Sequence, residues 1–205
     1  MIKLFSIGFL WAICAAQAFA QTPAKFYSLQ TFDKSFEIDG IQYAGASTGF
    51  YCSAKEIKKA WWKYIKAKAY ILNKVSHYEL KIPATSKDSL VPLYLISTVQ
   101  QNEIGQSALR IAYRDGGQSG DIDALKKMLI DFKTSYFTEG IEERIRKQEM
   151  ESKDLGNDLI RYQYSRSSKK LDSLEIQHKI SQFEYEVHQS DLKLDSLKSL
   201  LINIR

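Results

Sequence analysis

Ile176-Gln-His-Lys-Ile180-Ser-Gln-Phe183-Glu-Tyr-Glu-Val187-His-Gln-Ser190-Asp-Leu-Lys-Leu194-Asp-Ser-Leu197-Lys-Ser-Leu-Leu201-Ile-Asn-Ile204 sets an apolar or small residue at alternating steps of three and four. That beat is the pattern of a coiled-coil seam. Held upstream, the register lands on Ser173, Lys169 and Arg166, which suit a seam poorly. It then reaches Tyr162, Leu159, Leu155, Ser152, Gln148, Ile145 and Ile141. The seam thus has a polar gap in its middle. Left alone in water, Leu194, Leu197, Leu201 and Ile204, with Ile176, Ile180, Phe183 and Val187 above them, would expose a long apolar stripe, so the stripe needs a cover. A second copy of the chain, most simply as a parallel homo-oligomer, would supply one. So would the preceding part of the same helix folded back, or a different protein. Gly156 and the stretch Ser165-Arg166-Ser167-Ser168 are weak helix formers where the helix can bend into an antiparallel hairpin. A second partial stripe, Ile160, Tyr164, Leu171, Leu174, Tyr185 and Leu192, speaks for that bend, since one face cannot bury both.

Upstream of this tail the chain reads as a small α+β domain. Ser35 to Ile38 and Ile41 to Tyr43 flank Asp39-Gly40, a pair that tolerates the positive φ angles of a two-residue hairpin turn. Gly45 to Gly49 is expected to be a connector. Ser53 with Glu56 three residues on forms a capping box, opening a helix expected to run to about Ala69. Wound at 100° per residue, Ile57, Trp61 and Tyr64 face a sheet, and Lys55, Lys58, Lys59, Lys63 and Lys66 face away. Three β-rich runs follow: Val75 to Ile82, Leu90 to Val99 and Gln106 to Tyr113. A long helix begins at Asp121, and its first turns carry a broad stripe, Leu125, Met128, Leu129, Phe132 and Tyr136, suited to packing beside the first helix. The expected order is ββαβββα, a small antiparallel sheet packed by two helices. The second continues as a long coiled-coil helix or helical hairpin. The domains are then 21–140 for the α+β body and 141–205 for the tail.

The first twenty residues stand apart. Lys3, an apolar run from Leu4 to Ala16, and Ala18-Phe19-Ala20 before Gln21 have the form of a cleavable signal peptide. Cleavage is expected after Ala20, giving an exported chain, periplasmic or extracellular, with no transmembrane span. Cys14 leaves with the signal peptide, and Cys52 alone cannot form an internal disulfide. Charge is uneven. Residues 21–120 hold thirteen Lys or Arg against eight Asp or Glu, whereas from Asp121 onward fifteen face sixteen. The basic excess belongs to the front domain, and the mixed-sign tail suits a solvated helical surface and not a nucleic acid.

The signal peptide, the helix Ala54-Lys-Glu-Ile-Lys-Lys-Ala-Trp-Trp-Lys-Tyr and the C-terminal heptads together give a chain that resembles a group of uncharacterised envelope proteins of Gram-negative bacteria. These have a small α+β domain and a C-terminal coiled coil, and the resemblance implies architecture and compartment but no activity. No phosphate loop, nucleophile elbow, His-Glu-x-x-His or Cys-x-x-Cys occurs. His178 and His188 lie about 15 Å apart along a helix. His77 stands beside Tyr78 and Glu79 on a strand whose neighbours point to opposite faces. No two domain carboxylates sit at a spacing that obliges them to meet. These observations predict no catalytic residue, metal or cofactor. Binding is left: an anionic surface or glycan at Lys55, Lys58, Trp62 and Lys66, and self-association or another envelope protein through the tail. A non-enzymatic envelope protein is the leading expectation, a periplasmic holdase chaperone the alternative, and an enzyme the third.

Overall fold

Asp39 and Gly40 take φ of 52° and 82°, the left-handed region that a type I′ turn requires. They close the first hairpin in a computed structural model that describes residues 27–84, 92–102, 105–115, 121–168 and 173–204. The segment expected to be a signal peptide, with Cys14, lies outside the described residues. Strands β1 (Phe32–Ile38) and β2 (Ile41–Phe50) pair through Phe36↔Tyr43 and Ile38↔Ile41. Gly45 to Gly49 is strand within β2 and not a connector. Its small residues pair with β6 (Ser107–Tyr113) from Gly45↔Ala112 to Gly49↔Ala108.

Helix α1 (Ala54–Ile65) starts where Ser53 accepts a hydrogen bond from the Glu56 amide at 3.3 Å. It stops earlier than expected, because the Lys68 and Ala69 amides both turn back to the Ile65 carbonyl. The chain then forms an unforeseen strand, β3 (Tyr70–Asn73), followed by β4 (Tyr78–Ile82) and β5 (Leu93–Gln101). The element order is therefore ββαββββα up to the start of the long helix α2 (Ile122–Ser168), with one strand more than the sequence pattern predicts. All six strands join one antiparallel sheet in the order β1-β2-β6-β5-β4-β3. Helix α1 carries the chain from β2 to the far edge and so crosses above β5 and β6.

Side chains alternate between the two faces of a strand, and the register sorts them. Leu95, Val99, Leu109, Ile111, Ala46 and Phe50 are buried on the helix-bearing face. Against them lie Ile57, Trp61 and Ile65 of α1 and Leu125, Leu129 and Phe132 of α2, all buried. Each such apolar side chain contributes about 1.5–3 kcal/mol relative to exposure. Phe132 meets Trp61 edge-on at 5.1 Å and Phe50 at 5.8 Å between ring centroids. Phe36, Ile38 and Tyr43 point to the other face, where they close on Ile96 and Ala112 as a second small core. This requires the first hairpin to curl over the sheet, and Gly45 stands where it does so. A Cβ at Gly45 would run into the Ile111 carbonyl oxygen and stand 2.8 Å from the Ala112 Cβ.

The described chain divides into two compact units, one ending at Lys133 and the other beginning at Thr134. In the second unit the remainder of α2 is met by α3 (Ser173–Ile204) running antiparallel to it. The Gln148 amide donates to the Ser190 hydroxyl at 2.8 Å, and Ser152 donates to Asp191 at 2.9 Å. Nearer the bend, Tyr162 and Phe183 rings lie 5.1 Å apart. Of the three covers the seam could take, the upstream part of its own helix is the one present. Gly156 and Ser165 to Ser168 both stay helical, so neither expected bend site interrupts α2, which ends at Ser168, and α3 begins at Ser173. The second stripe is not what the hairpin buries. Ile160, Tyr164, Leu174, Tyr185 and Leu192 all remain exposed, because each lies two residues, about 160°, from a seam position. Leu171 lies outside the described residues. Among the described residues no helix is long and apolar enough to cross a membrane.

Gly45→Ala is expected to destabilise the first unit by about 2–3 kcal/mol, since the clash is with backbone and cannot relax by a rotamer change. Chemical denaturation of the variant beside the parent chain checks this. Lys133 gives a second prediction. It is 2 % exposed with its Nζ 5.1 Å from the centre of the Phe50 ring, and burial lowers its pKa to about 8. The unfolded chain, with an ordinary lysine, then binds more protons than the native one between about pH 8 and 10.5, so Lys133 makes stability rise with pH across that window. Below pH 8 the whole penalty of charging a buried amine is in force. Lys133→Met should therefore raise the denaturation midpoint at pH 7, and the difference from the parent should shrink toward pH 10.5.

Candidate functional site

Two tryptophans side by side in α1 receive opposite fates. Trp61 is fully buried, and its indole N–H donates to the Ser97 hydroxyl at 3.0 Å, so both polar groups are satisfied inside the core. Its ring also stacks at 5.7 Å on Tyr64, which is half-buried and is capped by Lys68, Nζ 2.7 Å from the phenol oxygen. One residue on, and 100° around the helix, Trp62 is turned outward and stays 44 % exposed. The Lys66 ammonium lies over its ring, 4.8 Å from the centroid. That is a cation–π contact, worth about 0.5–1 kcal/mol at an exposed site.

Lys55, Lys58, Lys59, Lys63 and Lys66 share this outward side, all exposed. The one carboxylate on the helix is Glu56, in its first turn. The structure thus brings together the predicted set Lys55, Lys58, Trp62 and Lys66 as one convex, positively charged surface with an indole in it. Such a surface offers hydrogen-bond donors and an aromatic ring, and almost no acceptors.

The predicted seam residues occupy a second place, in the helical hairpin. Ile176 and Ile204 are buried, and Ile180, Phe183, Val187, Leu194, Leu197 and Leu201 are half-buried. Facing positions on α2 behave likewise: Ile141 is buried, and Ile145, Leu155, Leu159 and Tyr162 are half-buried. Ser190, at a seam position, is 4 % exposed and holds Gln148, so polar seam residues of the two arms meet each other. Within the chain the seam of α3 is thus partly covered by α2.

A third constellation escaped the sequence reading. The Ser76 hydroxyl lies 3.1 Å from both Asp39 carboxylate oxygens and 2.9 Å from His77 Nδ1. His77 approaches Asp39 at 3.7 Å and Glu79 at 3.8 Å, and Glu79 also faces Lys74 and Arg114, each at 3.8 Å. Asp39 and Glu79, which no sequence spacing obliges to meet, therefore converge on one imidazole. The signals that could have found this are local: residues two apart on a strand share a face, so His77 and Glu79 belong together, and Asp39 and Ser76 both occupy turns. A serine beside a histidine invites a nucleophile reading, but the geometry opposes it. Ser76 has one proton, and with both Asp39 carboxylate oxygens at 3.1 Å that proton is engaged by Asp39, which leaves the His77 Nδ1 contact to the tautomer that donates to the hydroxyl. The cluster is a clasp between the tip of the first hairpin and the β3–β4 turn. No group of three or more His, Cys, Asp or Glu able to hold a metal occurs among the described residues. Cys52 is a half-buried free thiol.

Compared with known proteins, the chain matches no family model and no curated sequence.

Removing the clasp tests its structural role. Ser76→Ala with His77→Ala should leave the fold intact and increase hydrogen exchange at the Ile38 and Ile41 amides by roughly tenfold, corresponding to about 1.4 kcal/mol of local stability. Unchanged exchange there would show that the tip is held by Phe36, Ile38 and Tyr43 alone.

Proposed function

We propose that this is a non-enzymatic exported protein of the cell envelope that works by binding an anionic partner through the outer face of α1, with the helical hairpin as its association module. The observation that carries the reading is the exposure of Trp62 among five lysines on a helix whose opposite side is sealed into the core. A tryptophan held half in water among like charges suits a contact surface, where aromatic residues are enriched. The electrostatics agree: the front domain holds the basic excess of the chain, while the tail is balanced. A field of one sign draws an oppositely charged partner and speeds its encounter.

A holdase-type periplasmic chaperone is the second reading, and one observation favours it. Met150, Ile160, Tyr164, Leu174, Tyr185, Leu192 and Ile202 are exposed on the outer sides of the hairpin. These residues could equally carry association with another envelope protein or a second copy of the chain, through a surface other than the seam. Against the chaperone, they are interspersed with charges of both signs and form no cationic cradle for clients.

One preparation separates these readings. On an immobilised polyanion the chain should be retained and then released by salt, and a Lys55→Glu/Lys58→Glu/Lys66→Glu variant should elute with little or no retention. Retention that ignores these changes sinks the proposal. Suppression of aggregation of an unfolding outer-membrane protein at stoichiometric ratios, by parent and variant alike, would establish the chaperone in its place.

A further inference from the structure

The reading of α1 as an anion-binding face rests on charge. Its side-chain chemistry says more about which anion. The exposed face contains no arginine, although an arginine fork is the group that fixes a carboxylate or phosphate in one bidentate geometry. Lysines instead act as mobile point charges on flexible stems, suited to a dense array of monoanions with no fixed positions. Recognition of sugar hydroxyls needs acceptors as well as donors, usually within a concavity. Here the surface is a convex helix with Glu56 as its single carboxylate.

The aromatic residue supports the same conclusion. Trp62 stands about 40° from Lys66 and 20° from Lys55 around the helix, so its ring lies among the ammonium groups and not behind them. Indole, apolar in its body and polar at its N–H, favours the boundary between headgroups and acyl chains. Tyr51, just before the cap of α1, is a second aromatic half exposed. Because the apolar stripe of α1 is already occupied by the sheet, the helix cannot lie in a bilayer on that stripe as a free amphipathic peptide does. It can only rest on the surface by its lysine side, with Trp62 reaching in.

From this we infer that the partner of α1 is the surface of a bilayer rich in anionic phospholipid, bound by lysine–phosphate attraction and anchored by the Trp62 indole at headgroup depth. Trp61 makes a good internal control. In the chain beginning at Gln21, which keeps every described residue, Trp61 and Trp62 are the only tryptophans, and Trp61 is already shielded.

The test uses that chain with vesicles of phosphatidylglycerol and phosphatidylcholine, vesicles of phosphatidylcholine alone, and a soluble sulfated polysaccharide. With the anionic vesicles, tryptophan emission should shift to the blue, lose its accessibility to iodide, and be quenched by lipids brominated near the headgroup end of the acyl chain. Lys55→Gln/Lys58→Gln/Lys66→Gln should weaken vesicle binding roughly 100-fold. Trp62→Ala should weaken it about tenfold and abolish the spectral shift, while leaving affinity for the polysaccharide unchanged. Lysine-dependent binding to the polysaccharide with no emission change on vesicles overturns the bilayer assignment and leaves the anionic-partner reading standing. Failure to bind either probe removes both.

Discussion

One buried hydrogen bond, from the Trp61 indole to the Ser97 hydroxyl, governs how α1 lies on its sheet. Ser97 sits mid-strand in the core, where an unmet hydroxyl would cost about 1–3 kcal/mol, and the indole is the donor that satisfies it. With Trp61 pointing inward, the helical period decides the rest. Ile57 and Ile65, four residues to either side, are drawn into the same stripe, and Phe132 packs edge-on against the indole. Trp62 and the lysines have nowhere to go but out. The surface chemistry of the domain is therefore a consequence of how its core is satisfied.

The opposite face of the sheet is organised by a different constraint. A six-stranded antiparallel sheet with helices on one side leaves its other side to water unless something folds over it. Here the first hairpin does so, carrying Phe36, Ile38 and Tyr43 onto Ile96 and Ala112. That curl is permitted sterically by the absence of a side chain at Gly45, and it is closed at its tip by Asp39, Ser76 and His77. Apolar closure and polar closure thus act on the same hairpin from different points along its length.

What could be read in the sequence follows from the range over which each signal acts. Asp39-Gly40 and the Ser53 cap declare themselves within a few residues, and each appears where expected. Strand β3 did not, because Tyr70-Ile71-Leu72-Asn73 follows a helix with no proline or long linker to announce a break, and four residues carry too little alternation to register. Gly45 to Gly49 read as a connector because glycine and serine are turn formers. Only the approach of β6 explains why small residues are required in a strand. The clasp joins residues 37 positions apart, a distance over which turn and strand patterns say nothing. In the tail, Gln148 and Ser190 both stand at seam positions and bond to each other across the hairpin, and such a polar pair fixes register at some cost in stability.

The antiparallel pairing of α2 and α3 has a further consequence for how the tail behaves as the protein is diluted. Because the covering arm is tethered to the arm that it covers, its effective concentration is set by a connection of a few residues and lies in the millimolar range or above. The leucine ridge is then partly sheltered equally in a crowded solution and in a single isolated molecule. Assembly, where it occurs, is relieved of the task of keeping that ridge dry, and the outer sides of the two arms are left free to choose a partner.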